Sequence, residues 1–146
     1  LFGSAGIRTA TADVTGDGVA DLIVGSGPGG PPIVIVFDGV TQAEVVQILA
    51  FESSFTGGVY VAGGDFNGDG FAEIVVTPDE GGGPVVAVYS GVDAAAGSIV
   101  ELTRFLGIQD SGFRGGARAA VGDYNGDGVP DLAVSAGFQG GPRITL

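Results

Sequence analysis

A nine-residue acidic loop occurs three times in this chain and limits its possible folds more than any other feature. The copies are Asp13-Val-Thr-Gly-Asp-Gly-Val-Ala-Asp21, Asp65-Phe-Asn-Gly-Asp-Gly-Phe-Ala-Glu73 and Asp123-Tyr-Asn-Gly-Asp-Gly-Val-Pro-Asp131. Each puts oxygen-bearing side chains at loop positions 1, 3, 5 and 9 and glycine at positions 4 and 6. Three carboxylates so close together repel. One like-charge pair at roughly 4 Å and an effective dielectric near 20 costs about 4 kcal/mol before screening. A cation held among them removes that cost. Hard oxygen donors in a chain without histidine or cysteine point to calcium. The Asn-Gly and Asp-Gly pairs would by themselves make hairpin turns, but a bare turn does not explain acids at positions 1 and 9 of every copy. An EF-hand is excluded. It needs glutamate at position 12, where this chain has Val24, Val76 and Val134 between strand-like flanks.

The loops mark a longer repeat. Asp13, Asp65 and Asp123 stand 52 and 58 residues apart. Ten residues before them lie Gly3-Ser-Ala-Gly6, Phe55-Thr-Gly-Gly58 and Phe113-Arg-Gly-Gly116, and nineteen after them lie Pro32, Pro84 and Pro142. The runs Ile33-Val-Ile-Val-Phe37-Asp-Gly39 and Val85-Val-Ala-Val-Tyr89-Ser-Gly91 follow, whereas the third copy has only Arg143-Ile-Thr-Leu146. The six-residue difference in length falls between Gly39 and Phe55 against Gly91 and Phe113, where a hairpin and a return loop are expected.

Short runs of valine, isoleucine and phenylalanine bounded by glycine and proline read as strands. In the second unit they are expected at about residues 59–65, 72–77, 84–90 and 98–106, with the acidic loop joining the first to the second. Residues 41–49 are the best helix candidate, but their valines and isoleucine suit a strand equally. The first strand of each unit is rich in small residues (Thr9-Ala-Thr-Ala12, Val61-Ala-Gly-Gly64, Ala119-Ala-Val-Gly122), as close packing near a crowded axis requires. Four-stranded repeats of about 40–50 residues indicate propeller blades. The expected fold is all-β: a partial β-propeller of four-stranded antiparallel blades within one repeat domain, 1–146. Its blades are expected at about 7–51, 59–106 and, incomplete, 117–146. A closed propeller takes about four to eight blades. The chain is therefore expected to be an excerpt of a larger propeller or array, covered by further blades or by other copies of itself.

The Asp-x-Asn-x-Asp-Gly-x-x-Asp loop, the hydrophobic strand after it and the Gly-Gly-Pro turn resemble the FG-GAP or VCBS repeat family, which forms the blades of the integrin alpha-subunit propeller. The resemblance covers nearly the whole chain. It implies calcium held by side chains at positions 1, 3, 5 and 9 and the carbonyl at position 7, about three ions in all. The implied ligands are Asp13, Thr15, Asp17, Val19 (carbonyl) and Asp21; Asp65, Asn67, Asp69, Phe71 (carbonyl) and Glu73; Asp123, Asn125, Asp127, Val129 (carbonyl) and Asp131. Two positions depart from the pattern. Thr15 offers a weaker hydroxyl ligand, and Glu73 is one methylene longer than aspartate.

Charge limits the partners. The net charge is −12, and the three loops hold nine of the 17 acidic residues. All five cations are arginine, without a basic cluster, which argues against nucleic acid and anionic membranes. Without cysteine or histidine, a Ser-His-Asp or Cys-His site cannot be built. Gly25-Ser-Gly27-Pro-Gly29-Gly30 resembles a phosphate cradle, but it runs into Pro31-Pro32 and a β run, not a helix. No segment reads as membrane-inserted. Weak calcium sites fill only where calcium is abundant, so a secreted, extracellular or cell-surface location is expected.

Three function classes follow. The favoured one is a non-catalytic scaffold for adhesion, surface assembly or protein interaction, its partner a protein or glycan at the cell surface. The second is a glycan-binding lectin, weakened by the absence of tryptophan. The third is a propeller fragment of a polysaccharide-degrading enzyme, weakened because acids outside the loops fall mostly at turns and strand ends. Arg8, Tyr60 and Arg118 share one repeat offset, five residues before the first loop aspartate. They are expected either to fill space between blades or to form a polar ligand surface near the axis.

Overall fold

β-Branched side chains favour the pleated, half-buried surface of a sheet, and here their runs form three separate antiparallel sheets in chain order. The structure, a computed structural model, describes residues 6–146. The first sheet contains β1 (Ile7–Ala12), β2 (Asp21–Ser26), β3 (Ile33–Phe37) and β4 (Glu44–Leu49), each paired with its neighbour in sequence. The second contains β5 (Val59–Gly64), β6 (Glu73–Pro78), β7 (Val85–Tyr89) and β8 (Glu101–Leu106) in the same order. The third has β9 (Ala117–Gly122), β10 (Asp131–Ala136) and the two-residue β11 (Ile144–Thr145). The molecule is a partial β-propeller of two full blades and an incomplete third. The glycine-rich segment 25–30 links two antiparallel strands and opens no helix. Of the segment Gly3-Ser-Ala-Gly6, residues 3–5 lie outside the described residues.

Residues 44–49 form a strand because β4 buries Val46 and Ile48 on one face while Glu44, Gln47 and Leu49 stay exposed. The extra length of the second unit falls mostly in the connection before its fourth strand, residues 90–100 against 38–43. There the chain forms a short helix, α1 (Gly91–Ala95), instead of a simple return. Ser90 caps it, accepting from the Asp93 backbone N–H at 3.2 Å. A Ser-x-x-Asp signature ahead of three alanines marks this cap in the sequence. At five residues the helix is too short to show a period.

The central strands of the middle blade, β6 and β7, are covered on both sides. Along β6 and β7, Ile74, Val76, Ala87 and Tyr89 pack against Val14, Ile23, Val34, Val36, Val46 and Ile48 of the first blade. The alternate residues Val75, Val86 and Val88 pack with Ala62 toward Ala117 and Val134 of the third. Every residue of β6 is buried, which is why this strand reads as an apolar run and not an alternation. The inner strands approach closely: a Cβ on Gly63 would lie 2.8 Å from the Cβ of Ala12, and one on Gly64 2.6 Å from Val121 Cγ1. Farther out, the buried Tyr89 hydroxyl donates to the Ala50 carbonyl across the first seam at 3.1 Å. Burial pushes its pKa up to about 12.

Both ends of the arc expose apolar side chains. Ile7, Leu22 and Leu49 are exposed on the first blade and Phe138 and Ile144 on the third, and Leu102 and Phe105 are exposed on β8 of the middle blade.

Ile74 is fully buried in the seam between the first two blades. Ile74→Ala is expected to destabilise the fold by about 2–5 kcal/mol through lost contacts and a residual cavity. Chemical denaturation checks this, and a loss below about 1 kcal/mol would show that the seam is not a packed core.

Candidate metal centres

Each acidic loop leaves the inner strand of a blade and turns at once into its second strand. Glycine is favoured at positions 4 and 6 because the backbone there is left-handed: φ is +70° and +87° at Gly16 and Gly18, +75° and +90° at Gly68 and Gly70, +78° and +90° at Gly126 and Gly128. These turns aim successive backbone N–H groups at the position-1 carboxylate. Asp13 accepts from Asp17 at 3.1 Å and Gly18 at 2.8 Å. Asp65 accepts from Gly68, Asp69 and Gly70 at 2.8, 3.2 and 2.9 Å. Asp123 accepts from Gly126, Asp127 and Gly128 at 2.6, 3.1 and 2.9 Å. These bonds, led by that from Gly128, hold the Asp123 carboxyl below the usual aspartate range.

Positions 5 and 9 are fixed in the same way. Asp17, Asp69 and Asp127 each accept from the position-7 N–H at 2.8, 2.8 and 2.9 Å. The position-9 acid opens the second strand and reaches back over the loop. Asp21, fully buried, accepts from Thr15 N–H at 2.8 Å and from Gly39 N–H at 2.9 Å. Glu73, also buried, accepts from Phe66 N–H at 2.9 Å and the Asn67 amide at 3.1 Å. Asp131 accepts from Tyr124 N–H at 2.9 Å and Asn125 N–H at 3.3 Å. Burial, reinforced by the charges of Asp69 and Asp65, pushes the Glu73 carboxyl above the usual glutamate range despite the bond from Phe66.

Position 3 differs between the loops. Asn67 and Asn125 each accept from the position-5 N–H at 2.8 Å. The Thr15 hydroxyl instead points at Asp21, 3.4 Å away. Position 12 is Val24, Val76 and Val134, all buried in β2, β6 and β10.

The donor set fits a hard cation. Every acid at positions 1, 5 and 9 is tied to backbone N–H groups of its own loop, so its placement is set by the chain. A carboxylate has about four lone-pair directions, and no position-1 acid uses more than three of them in these bonds. Among the described residues, no group of three or more acidic side chains is gathered closely enough to hold a metal ion.

The offset shared by Arg8, Tyr60 and Arg118 produces one cluster. The two guanidinium carbons lie 4.7 and 4.8 Å from the Tyr60 ring centroid. Arg8 donates to Asp79, and Arg118 lies 3.6 Å from the same carboxylate. Asp79, next to β6, was not singled out in the sequence because no repeat position marks it. It is buried, and a buried carboxylate needs the paired charge that the two arginines supply. These side chains link all three blades.

The sequence matches the FG-GAP-like repeat family over residues 13–76 and again over 65–134, each match starting at a first loop aspartate. It is 33% identical to integrin alpha-7 of Mus musculus over 125 residues, which is 80% of this chain and 10% of that protein. It is 30% identical to the Homo sapiens integrin alpha-7 over 125 residues, with the same shares. The chain thus spans about a tenth of the length of the curated relatives it matches.

Asp79→Asn leaves two stacked guanidinium groups without their counter-charge. It is expected to cost about 2 kcal/mol, below the 3–5 of a fully buried pair because both arginines keep contact with water. An unchanged urea midpoint would show that the cluster does not hold the blades together.

Proposed function

We propose, from the premise that this chain belongs to the FG-GAP-like repeat family, that it is a calcium-stabilised, non-catalytic repeat scaffold working outside the cell in adhesion, surface assembly or protein interaction. The ions are about three Ca²⁺, one per acidic loop. Each would be held by the loop's position-1, -3, -5 and -9 side chains and its position-7 carbonyl, the set beginning at Asp13, Asp65 and Asp123. The metal's role is to neutralise like charges and pin the turn between the first two strands of a blade.

One observation carries this reading. In all three loops the acids at positions 1, 5 and 9 are held by backbone N–H groups of a left-handed turn that glycine at positions 4 and 6 adopts without strain. Three ions would add +6 to a net charge of −12, giving a value ordinary for a soluble domain. Among the described residues, no helix is long and apolar enough to cross a membrane. The partner is a protein or glycan at a cell surface, and the integrin relatives favour a protein. Further blades or other copies of the chain would cover the apolar side chains at the ends of the arc.

Removing calcium is expected to lower the melting temperature. Saturating one site at a hundredfold over its Kd adds roughly 2.7 kcal/mol. Calorimetry with and without EDTA tests this, and superimposable traces would refute the proposal. The first loop is expected to bind most weakly because its hydroxyl replaces an amide carbonyl. Thr15→Asn should tighten that site and leave the third unchanged. A titration in which the first loop of the natural sequence is the tightest would reject this ranking.

A further inference from the structure

A backbone hydrogen bond and an aromatic contact join the first two loops, whereas the third loop meets the second through Pro130 packed beside Gly64. The Ala72 backbone N–H, at position 8 of the second loop, donates to the Asp13 carbonyl of the first at 2.7 Å. The Phe71 ring lies over Gly16 so closely that a Cβ there would be 2.7 Å from Phe71 Cε1. Neither link recurs between the second and third loops. Position 8 of the third loop is Pro130, which has no N–H. A Cβ on Gly68 would meet nothing within 4 Å, and Val129, the counterpart of Phe71, is 46% exposed. Among the described residues, no backbone N–H of the third loop donates to the second.

We propose that the Phe71–Ala72 peptide couples cation binding in the first loop to cation binding in the second, while the third loop binds independently. This rests on the calcium reading above. The amide is one planar trans unit, so its N–H and C=O point in opposite directions. The N–H is held by Asp13, whose side chain is the position-1 ligand of the first loop. The C=O is the position-7 oxygen of the second. A cation drawing electron density from that carbonyl makes the N–H a stronger donor, which holds the Asp13 backbone in its binding position. In the reverse direction, a cation on Asp13 fixes the acceptor that aims the Phe71 carbonyl. Linkage requires the effect to be equal both ways.

The test is a calcium titration of the full chain followed by NMR at the Gly18, Gly70 and Gly128 amides, one reporter per loop. Asp69→Ala, which disables the second loop, is expected to weaken binding in the first by about fivefold, the low end of typical coupling. Asp127→Ala, which disables the third, should leave the second unchanged. Ala72→Pro gives the second loop the proline that the third already carries, and should abolish the response of the first loop to Asp69→Ala. Exchange of the Ala72 amide provides a readout without proline: calcium should slow it in the natural chain more than in Asp17→Ala. Three loops that bind calcium independently in the natural sequence would overturn the coupling but leave the calcium reading intact, as would coupling that survives Ala72→Pro or an Ala72 exchange rate indifferent to Asp17→Ala. A natural chain in which no loop binds calcium would overturn both.

Discussion

The turn between the first two strands of each blade has to hold three carboxylates within nine residues, and the rest of the blade depends on how it does so. Its left-handed glycines expose a row of backbone N–H groups that the position-1 and position-5 acids accept from. The position-9 acid folds back from the first residue of the second strand and closes the loop. In the first blade that acid also accepts from Gly39, tying the loop to the connection between the third and fourth strands. Electrostatics and backbone geometry therefore fix where the second strand begins, and the strand's apolar residues then fall on the faces that meet the neighbouring blades.

Between blades the controlling quantity is distance. Alanine and glycine on the inner strands let the sheets approach so closely that a Cβ on Gly63 or Gly64 would clash with the next blade. The middle blade alternates its side chains between two seams. At one end of the inner strands, Arg8, Tyr60, Arg118 and Asp79 bridge all three blades through stacking and charge.

Much of this was legible in the sequence because the repeat supplies its own controls. Three copies of one loop separate the required positions from incidental ones, and the register of glycine, proline and apolar runs locates the strands. The shared offset of Arg8, Tyr60 and Arg118 brought those residues together, but Asp79 lies outside any repeated position and could not be read. The helix at Gly91–Ala95 was missed because one turn shows no period, although its cap signature was present. The link from Ala72 to Asp13 was hidden because backbone bonds between loops leave no mark in composition. Its absence at the third loop was visible only as a proline whose meaning depends on the structure.

Anomalous scattering from crystals grown in millimolar calcium tests the central claim most directly. The account predicts three peaks, one inside each loop beginning at Asp13, Asp65 and Asp123, each surrounded by oxygen atoms at about 2.3–2.6 Å. Ordered loops with no peak in any of them would contradict it.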